Sequence, residues 1–438
     1  MRYYPATGWT ADTVLSSMGL STNVIPHASI ALDANGTDIH VVWTGYNHVK
    51  QSYDHVYCQK CVPSSSGNGG WVGTPIDLCT DHTTYAHCEP AVACAPGRVV
   101  VTWSVTDEHG YAVGFREFAS GTWQNQVQLD GFTTYYLGLA SISAASNGDV
   151  AVAYYGTQAG QPSYHVYVLR RVGGTWQPRE DATTGLPGVH FILPDIDVDP
   201  MTGYPHIVCH SYDTVTVPGK RYYHIYHTYR TTSGWQPLEL ITDPTVRVDC
   251  QPSMFFGCDG SAYVVWNRET DGPGIMCMVR SPSGTWGAPS FITNYPGSPG
   301  YYDMCSNVTV SSTGNVYAVW MDGRNGPYQI WGRLCTPGSF ASSGLDAGTT
   351  VTPRGFALDV SPNPFSRGAV VRYSLPAEGN VSIKLYNVSG VLAKTVACGC
   401  VLPGSHAVSL DRQGFARGAY ILKLESGSGS LARKFVIE

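Results

Sequence analysis

The sequence predicts an all-β chain: a six-bladed β-propeller followed by a small immunoglobulin-like β-sandwich. Three observations carry this. A four-strand pattern recurs at intervals of about 50 residues along 1–335. The composition is rich in turn formers and aromatics, with 49 Gly, 28 Pro and 28 Tyr, while charged residues make up 13%. Beyond a Gly/Ser/Thr-rich linker at 336–354, the pattern changes to roughly seven alternating short strands over 355–438.

The repeat opens on a short strand, often after proline: Pro26-His27-Ala28-Ser29-Ile30, Pro90-Ala91-Val92, Pro194-Asp195-Ile196 and Pro252-Ser253-Met254. A tight turn leads into an apolar strand that ends in an aromatic residue: Val41-Val42-Trp43, Val101-Thr102-Trp103, Val264-Val265-Trp266 and Ala318-Val319-Trp320. A third strand reads Tyr53-Asp54-His55-Val56-Tyr57, Tyr164-His165-Val166-Tyr167 and Tyr223-His224-Ile225-Tyr226. A Gly-rich turn into Trp71, Trp123, Trp176, Trp235 and Trp286 begins the fourth. Such a sheet has two apolar faces and buries them only against neighbouring copies, so the repeats are expected to close into a ring. The last copy lacks its fourth strand. Gly8-Trp9-Thr10 and Val14-Leu15, at the other end of the chain, are expected to supply it and so remove a free sheet edge.

The net charge of −6, with no basic run, argues against a nucleic-acid partner. No apolar run is long enough to span a membrane, and Met1 to Thr10 lacks the apolar core of a signal peptide. Of the 13 cysteines, Cys58 and Cys61 form one CxxC without a second pair at zinc-finger spacing. A disulfide or two free thiols is the expected reading, and no metal is assigned to them. Disulfides would suit an exported protein.

The Gly-Thr-Trp turns resemble degenerate Asp boxes of sialidase-like propellers. Arg280-Ser281-Pro282-Ser283-Gly284-Thr285-Trp286 keeps the Ser, Gly and Trp of that motif without its Asp. Trp320-Met321-Asp322-Gly323-Arg324 is similar to the same class. The C-terminal part resembles the sorting domain of the bacterial type IX secretion system. The resemblance rests on Ser361-Pro362-Asn363-Pro364-Phe365, Leu385-Tyr386-Asn387-Val388-Ser389-Gly390, Gly404-Ser405-His406, Arg417-Gly418-Ala419-Tyr420-Ile421-Leu422 and Lys434-Phe435-Val436-Ile437. It implies export across an outer membrane and a cell-surface or extracellular location.

Function is sought on the face where long loops differ between blades, since positions shared by every blade serve the fold. His55, His165 and His224 are shared and are read as inter-blade packing. The binding candidates are Glu89, Asp195, Arg247, Asp249, Arg268, Tyr301, Tyr302, Asp322 and Arg324. Carboxylates beside Arg and Tyr suit sugar binding, and paired carboxylates suit glycosidic cleavage. Resemblance to sialidases implies an arginine cluster, for which Arg247, Arg268 and Arg324 are the candidates; the Arg-Ile-Pro segment typical of that class is missing. No cofactor motif is read. Asp195, Asp197 and Asp199 alternate as a calcium candidate, although an EF-hand's sixth-position Gly is lacking.

Two functions follow. One is a non-catalytic surface protein acting in adhesion, glycan binding or self-assembly, with a glycan, a surface protein or copies of itself as partner; a head-to-tail contact through the C-terminal domain would build a filament. The other is a secreted sialidase-like glycoside hydrolase or lyase.

Overall fold

The computed structural model describes residues 3–4, 8–9, 28–33, 38–47, 52–62, 70–80, 86–107, 110–133, 137–157, 161–212, 222–246, 248–270, 274–293, 304–311, 315–322, 329–335, 357–361, 363–365, 368–375, 379–401, 404–412, 415–426 and 429–437. Every regular element among them is a strand. The chain divides into two compact units, Met1–Ile196 and Asp197–Glu438.

The first unit carries three repeats of one antiparallel meander. The first sheet runs Ala28–Leu32, Ile39–Asn47, Ser52–Val62, Gly70–Asp77. The second runs Ala86–Ala95, Arg98–Asp107, Gly110–Ala119, Thr122–Trp123, with Val127–Thr133 also on its third strand. The third runs Leu137–Ala144, Val150–Gly156, His165–Val172, Thr175–Trp176, with Glu180–Asp181. The strand His190–Val198 follows. The second unit carries a sheet of Pro205–Tyr212, Ile225–Thr231, Gly234–Trp235 and Glu239–Leu240, the fourth in chain order. A fifth sheet follows, Asp249–Phe256, Ala262–Arg268, Gly274–Arg280, Ser290–Phe291, and then a three-stranded sixth, Met304–Val310, Val316–Asp322, Gln329–Cys335. Gly8–Trp9 pairs with Tyr3–Tyr4; Thr10, Val14 and Leu15 lie outside the described residues.

Each sheet folds as the sequence directs. The second strands are apolar on both faces and buried from end to end, as in Val150–Gly156. The aromatics ending them are core: Trp103 and Trp266 have no exposed surface. The Gly-Thr-Trp turns are hairpin loops. Gly173 and Gly174 both take positive φ, 56° and 84°, between the paired residues Val172 and Thr175, which is the type I′ geometry that matches strand twist. At Ser281–Thr285 the loop is longer, and Ser281 Oγ accepts the Thr285 N–H at 3.0 Å.

Two devices recur from sheet to sheet. On the leading strands, Ser29, Ser141 and Ser253 each offer Oγ to a backbone N–H of the next leading strand: Val92 (3.2 Å), Ile196 (3.3 Å) and Val308 (3.4 Å). After the fourth strand, a side chain caps the start of the third. Thr183, Thr242 and Thr293 accept the N–H of Val166, Ile225 and Ile275, and Cys79 Sγ does the same for Val56.

The last seven strands form a sandwich with its own core. One sheet orders Ala357–Ser361, Gly368–Leu375, Gly404–Asp411; the other orders Leu392–Val401, Gly379–Asn387, Gly418–Ser426, Gly429–Ile437. Val371, Ile383, Leu385, Leu422 and Phe435 fill the space between them. The Asn363-Pro364-Phe365 motif is a pin: Asn363 Oδ1 accepts the Val436 N–H at 2.9 Å, and Phe365 stacks on Phe435. Asn387 closes the Tyr386–Gly390 turn by accepting the N–H groups of Ser389 and Val391.

Cys58 and Cys61 are both free thiols. Both lie on one strand, Ser52–Val62, where a spacing of three puts them on opposite faces. The CxxC spacing therefore does not bring the two sulfurs together.

Candidate functional site

The leading strands share a β-bulge. Register slips between Cys88 and Ala91, between Gly138 and Ser141, between Cys250 and Ser253 and between Met304 and Asn307. In three sheets the residue before the strand's proline sits in the left-handed region: Glu89 (φ 54°), Leu193 (φ 50°) and Gln251 (φ 52°). A non-glycine side chain there costs about 1–2 kcal/mol, and such positions re-aim side chains at functional sites. Glu89 turns back to accept the Ser104 hydroxyl at 3.0 Å, and Gln251 accepts Asn267 Nδ2 at 2.7 Å; Ser104 and Asn267 hold equivalent positions.

The fifth-sheet bulge is the centre of a polar cluster. Asp249, with no exposed surface, takes a bidentate pair from Arg268, Nε to Oδ1 at 2.8 Å and Nη2 to Oδ2 at 3.0 Å. The Gln251 N–H donates to His210 Nδ1 at 2.9 Å. With Nδ1 accepting, neutral His210 carries its proton on Nε2. Burial pushes the His210 pKa down to about 3. Its Nε2–H, and Asn267 Oδ1, are buried with no hydrogen-bond partner among the described residues. Each such atom costs about 1–3 kcal/mol unless a ligand or water takes it up. The cluster thus offers one donor and one acceptor beside a fixed ion pair.

The sequence-predicted residues separate into three groups. Asp249 and Arg268 are brought together, at one end of the paired strands. Glu89 and Asp195 serve the fold: Asp195 accepts the Ser141 hydroxyl at 2.6 Å at the same leading-strand position where Ser29 and Ser253 act. Arg247, Tyr301, Tyr302 and Arg324 lie outside the described residues, as does the side chain of Asp322 on the strand Val316–Asp322. Arg268 is committed to Asp249. The three alternating aspartates also serve protein donors. Asp197 accepts the Phe256 N–H at 2.8 Å, and Asp199 caps the turn at Met201 and Thr202.

Two of the three shared histidines, His55 and His165, pair with a carboxylate of their own sheet in addition to any packing between blades. His55 meets Asp77 at 2.9 Å and His165 meets Asp181 at 2.8 Å. The reason is register: the fourth strand brings its Asp beside the start of the third. His55 also touches the His87 ring of the next sheet. His55, Asp77 and Cys79 bring three donor atoms within 4.8 Å of one another. His165, Asp181 and Thr183 reproduce that arrangement with a hydroxyl for the thiol, so the repeat accounts for it without a metal. The reading from sequence passed over Gln251, Asn267 and His210. Their only signal was the Gln251-Pro252 step, in phase with Glu89-Pro90.

These sheets are of the propeller-blade class, followed by an immunoglobulin-like sandwich. Residues 359–438 match the family described as Secretion system C-terminal sorting domain. The chain is accordingly a type IX secretion cargo, directed to the cell surface or the extracellular space. No helix among the described residues is long and apolar enough to cross a membrane. No curated protein sequence matches the chain. Among solved structures it is similar to a sialidase from Trypanosoma rangeli (9% identity, TM-score 0.46, covering 95% of this chain and 85% of that one). It is also similar to the intramolecular trans-sialidase of Ruminococcus gnavus (10% identity, TM-score 0.46, 72% and 95%). A third similar structure is PorZ, a surface component of the type IX secretion system of Porphyromonas gingivalis (12% identity, TM-score 0.35, 93% and 59%).

Proposed function

We propose that this protein works at the cell surface as a non-catalytic binding protein, holding a glycan or a surface protein at the bulge cluster of its fifth sheet. The observation that carries the reading is the pair of buried, unpartnered polar atoms, His210 Nε2 and Asn267 Oδ1, flanking the strained Gln251. A ligand that reaches this cluster needs a donor for Asn267 or an acceptor for His210, which an amide or a hydroxyl group supplies. Three of the described carboxylates on the variable face support binding over hydrolysis. Asp249 is locked to Arg268, Asp195 to Ser141 and Glu89 to Ser104, whereas glycoside cleavage needs one carboxyl group poised as an acid and a second as base or nucleophile.

A glycan array together with a panel of chromogenic glycosides tests this. The expected result is retention of a defined glycan set without turnover, weakened in Asn267→Ala. Release of chromophore from a sialoside or another glycoside overturns the reading in favour of a sialidase-like hydrolase. Self-assembly is the third arm of the same proposal. The sandwich sheets end in the strands Leu392–Val401 and Gly404–Asp411, whose outer edges offer a second copy a strand to pair with. Negative-stain images alongside light scattering show filaments if that contact forms.

A further inference from the structure

Strand register makes the contacts between neighbouring sheets directly comparable. Where the second sheet meets the third, Phe115 of a third strand packs edge-on against Trp176, with centroids 5.1 Å apart at 84°. Where the fourth meets the fifth, His227 holds the equivalent position and packs the same way against Trp286, at 5.2 Å and 83°. That contact is filled further: His206 lies between His227 and Phe256, and Glu239 accepts Trp286 Nε1 at 2.9 Å.

The contact between the first and second sheets is different. Cys58, opposite Val42, stands where Phe115 and His227 stand. Ile76, opposite Cys58, stands for Glu239, and Cys94, opposite Val99, for Phe256. Trp123 keeps its place, yet among the described residues no ring of the first sheet meets it. Its aromatic neighbour is Phe118 of its own sheet, at 5.7 Å. A cleft of about 300 Å³ remains, walled by Cys58, Ile76, Val99, Phe118 and Trp123. Lys60, paired to Asp38 at 2.9 Å, and Arg98, paired to Glu117 at 2.7 Å, stand among its polar residues.

We propose that this cleft binds a planar aromatic molecule of one or two rings with a polar edge, seated against Trp123 in the place that Phe115 and His227 fill elsewhere. A cavity of roughly 150 Å³ already holds a benzene ring, so a cleft of this volume has room for one ring or two. Edge-to-face packing on tryptophan is the contact the chain itself uses at both filled positions, and it favours aromatic over aliphatic occupants. The ion pairs give the polar edge of the ligand its partners. Binding is non-covalent: burial pushes the Cys58 thiol up to about 12, so it stays protonated.

The test uses the full-length protein titrated with indole and with phenol, and with methyl glucoside as control, followed by saturation-transfer NMR and thermal unfolding. Saturable binding of indole or phenol, with a raised Tm, is the expected result. Cys58→Phe rebuilds the missing ring and is expected to weaken binding at least about tenfold while raising the Tm of the unliganded protein. Ile76→Phe fills the same space from the fourth strand and decides the matter should the first variant fail to fold. The proposal is overturned if neither aromatic probe saturates, if a soluble filled variant binds as well as the native chain, or if the glucoside binds in preference to both. The bulge cluster is untouched by either variant, so glycan binding there stands or falls separately.

Discussion

At the scale of single residues, a buried charge pair is costly to break. Arg268 is the sole cation bonded to Asp249 among the described residues, and Asp249 has no exposed surface. Arg268→Ala leaves an uncompensated buried carboxylate, and the expected cost is about 3 kcal/mol, read as a lower urea midpoint. The buried histidines give a pH dependence with a definite sign. Burial is the chief cause that pulls His206 down to about 2 and His210 to about 3, with His227 and Arg280 pushing His206 the same way. Both stay neutral in the folded chain and take up protons on unfolding below the ordinary histidine value. Their contribution is complete above about pH 6.5 and is lost progressively as pH falls, at about 1.4 kcal/mol per pH unit for each. His210→Gln is therefore expected to flatten the fall of Tm between pH 6 and pH 4; an unchanged slope contradicts the assignment.

At the scale of elements, the cap on the third strand is the part most open to test. Thr183 Oγ1 accepts the buried Val166 N–H, and Asp181 holds Thr183 in turn. Thr183→Ala is expected to destabilise by about 1–3 kcal/mol, because a buried donor loses its acceptor. Cys79→Thr imports the residue used in three other sheets, so unfolding experiments should find it neutral or stabilising. A metal held at His55, Asp77 and Cys79 predicts the opposite, a loss of stability with the thiol.

At the scale of the whole molecule, the sandwich governs where the protein goes. Its core of Val371, Ile383, Leu385, Leu422 and Phe435 is self-contained, and residues 359–438 carry the sorting match. Removing them is expected to leave the chain on the cell side of the outer membrane, checked by surface proteolysis and fractionation. Asn363→Ala, which removes the acceptor of the Val436 N–H on the last strand, should lower surface display in the same assay.

Much of this architecture was legible in the sequence. Turn glycines and aromatic strand ends are local signals, dictated by φ and by side-chain size, so the sheets could be placed from Gly173-Gly174 or Trp266 alone. The sorting motif was legible as a run of contiguous residues, although the partners of Asn363 and Phe365 lie on the last strand and only the structure pairs them. Register and the contacts between sheets belonged to the tertiary structure. One extra residue in a leading strand reverses which side chains face which neighbour, and that bulge turned Gln251 toward Asn267. The cleft at Trp123 was equally hidden. Cys58 reads as an ordinary apolar strand residue, and its smallness matters only beside a tryptophan 65 residues away, since packing depends on what lies across the gap and pattern along the chain does not record it.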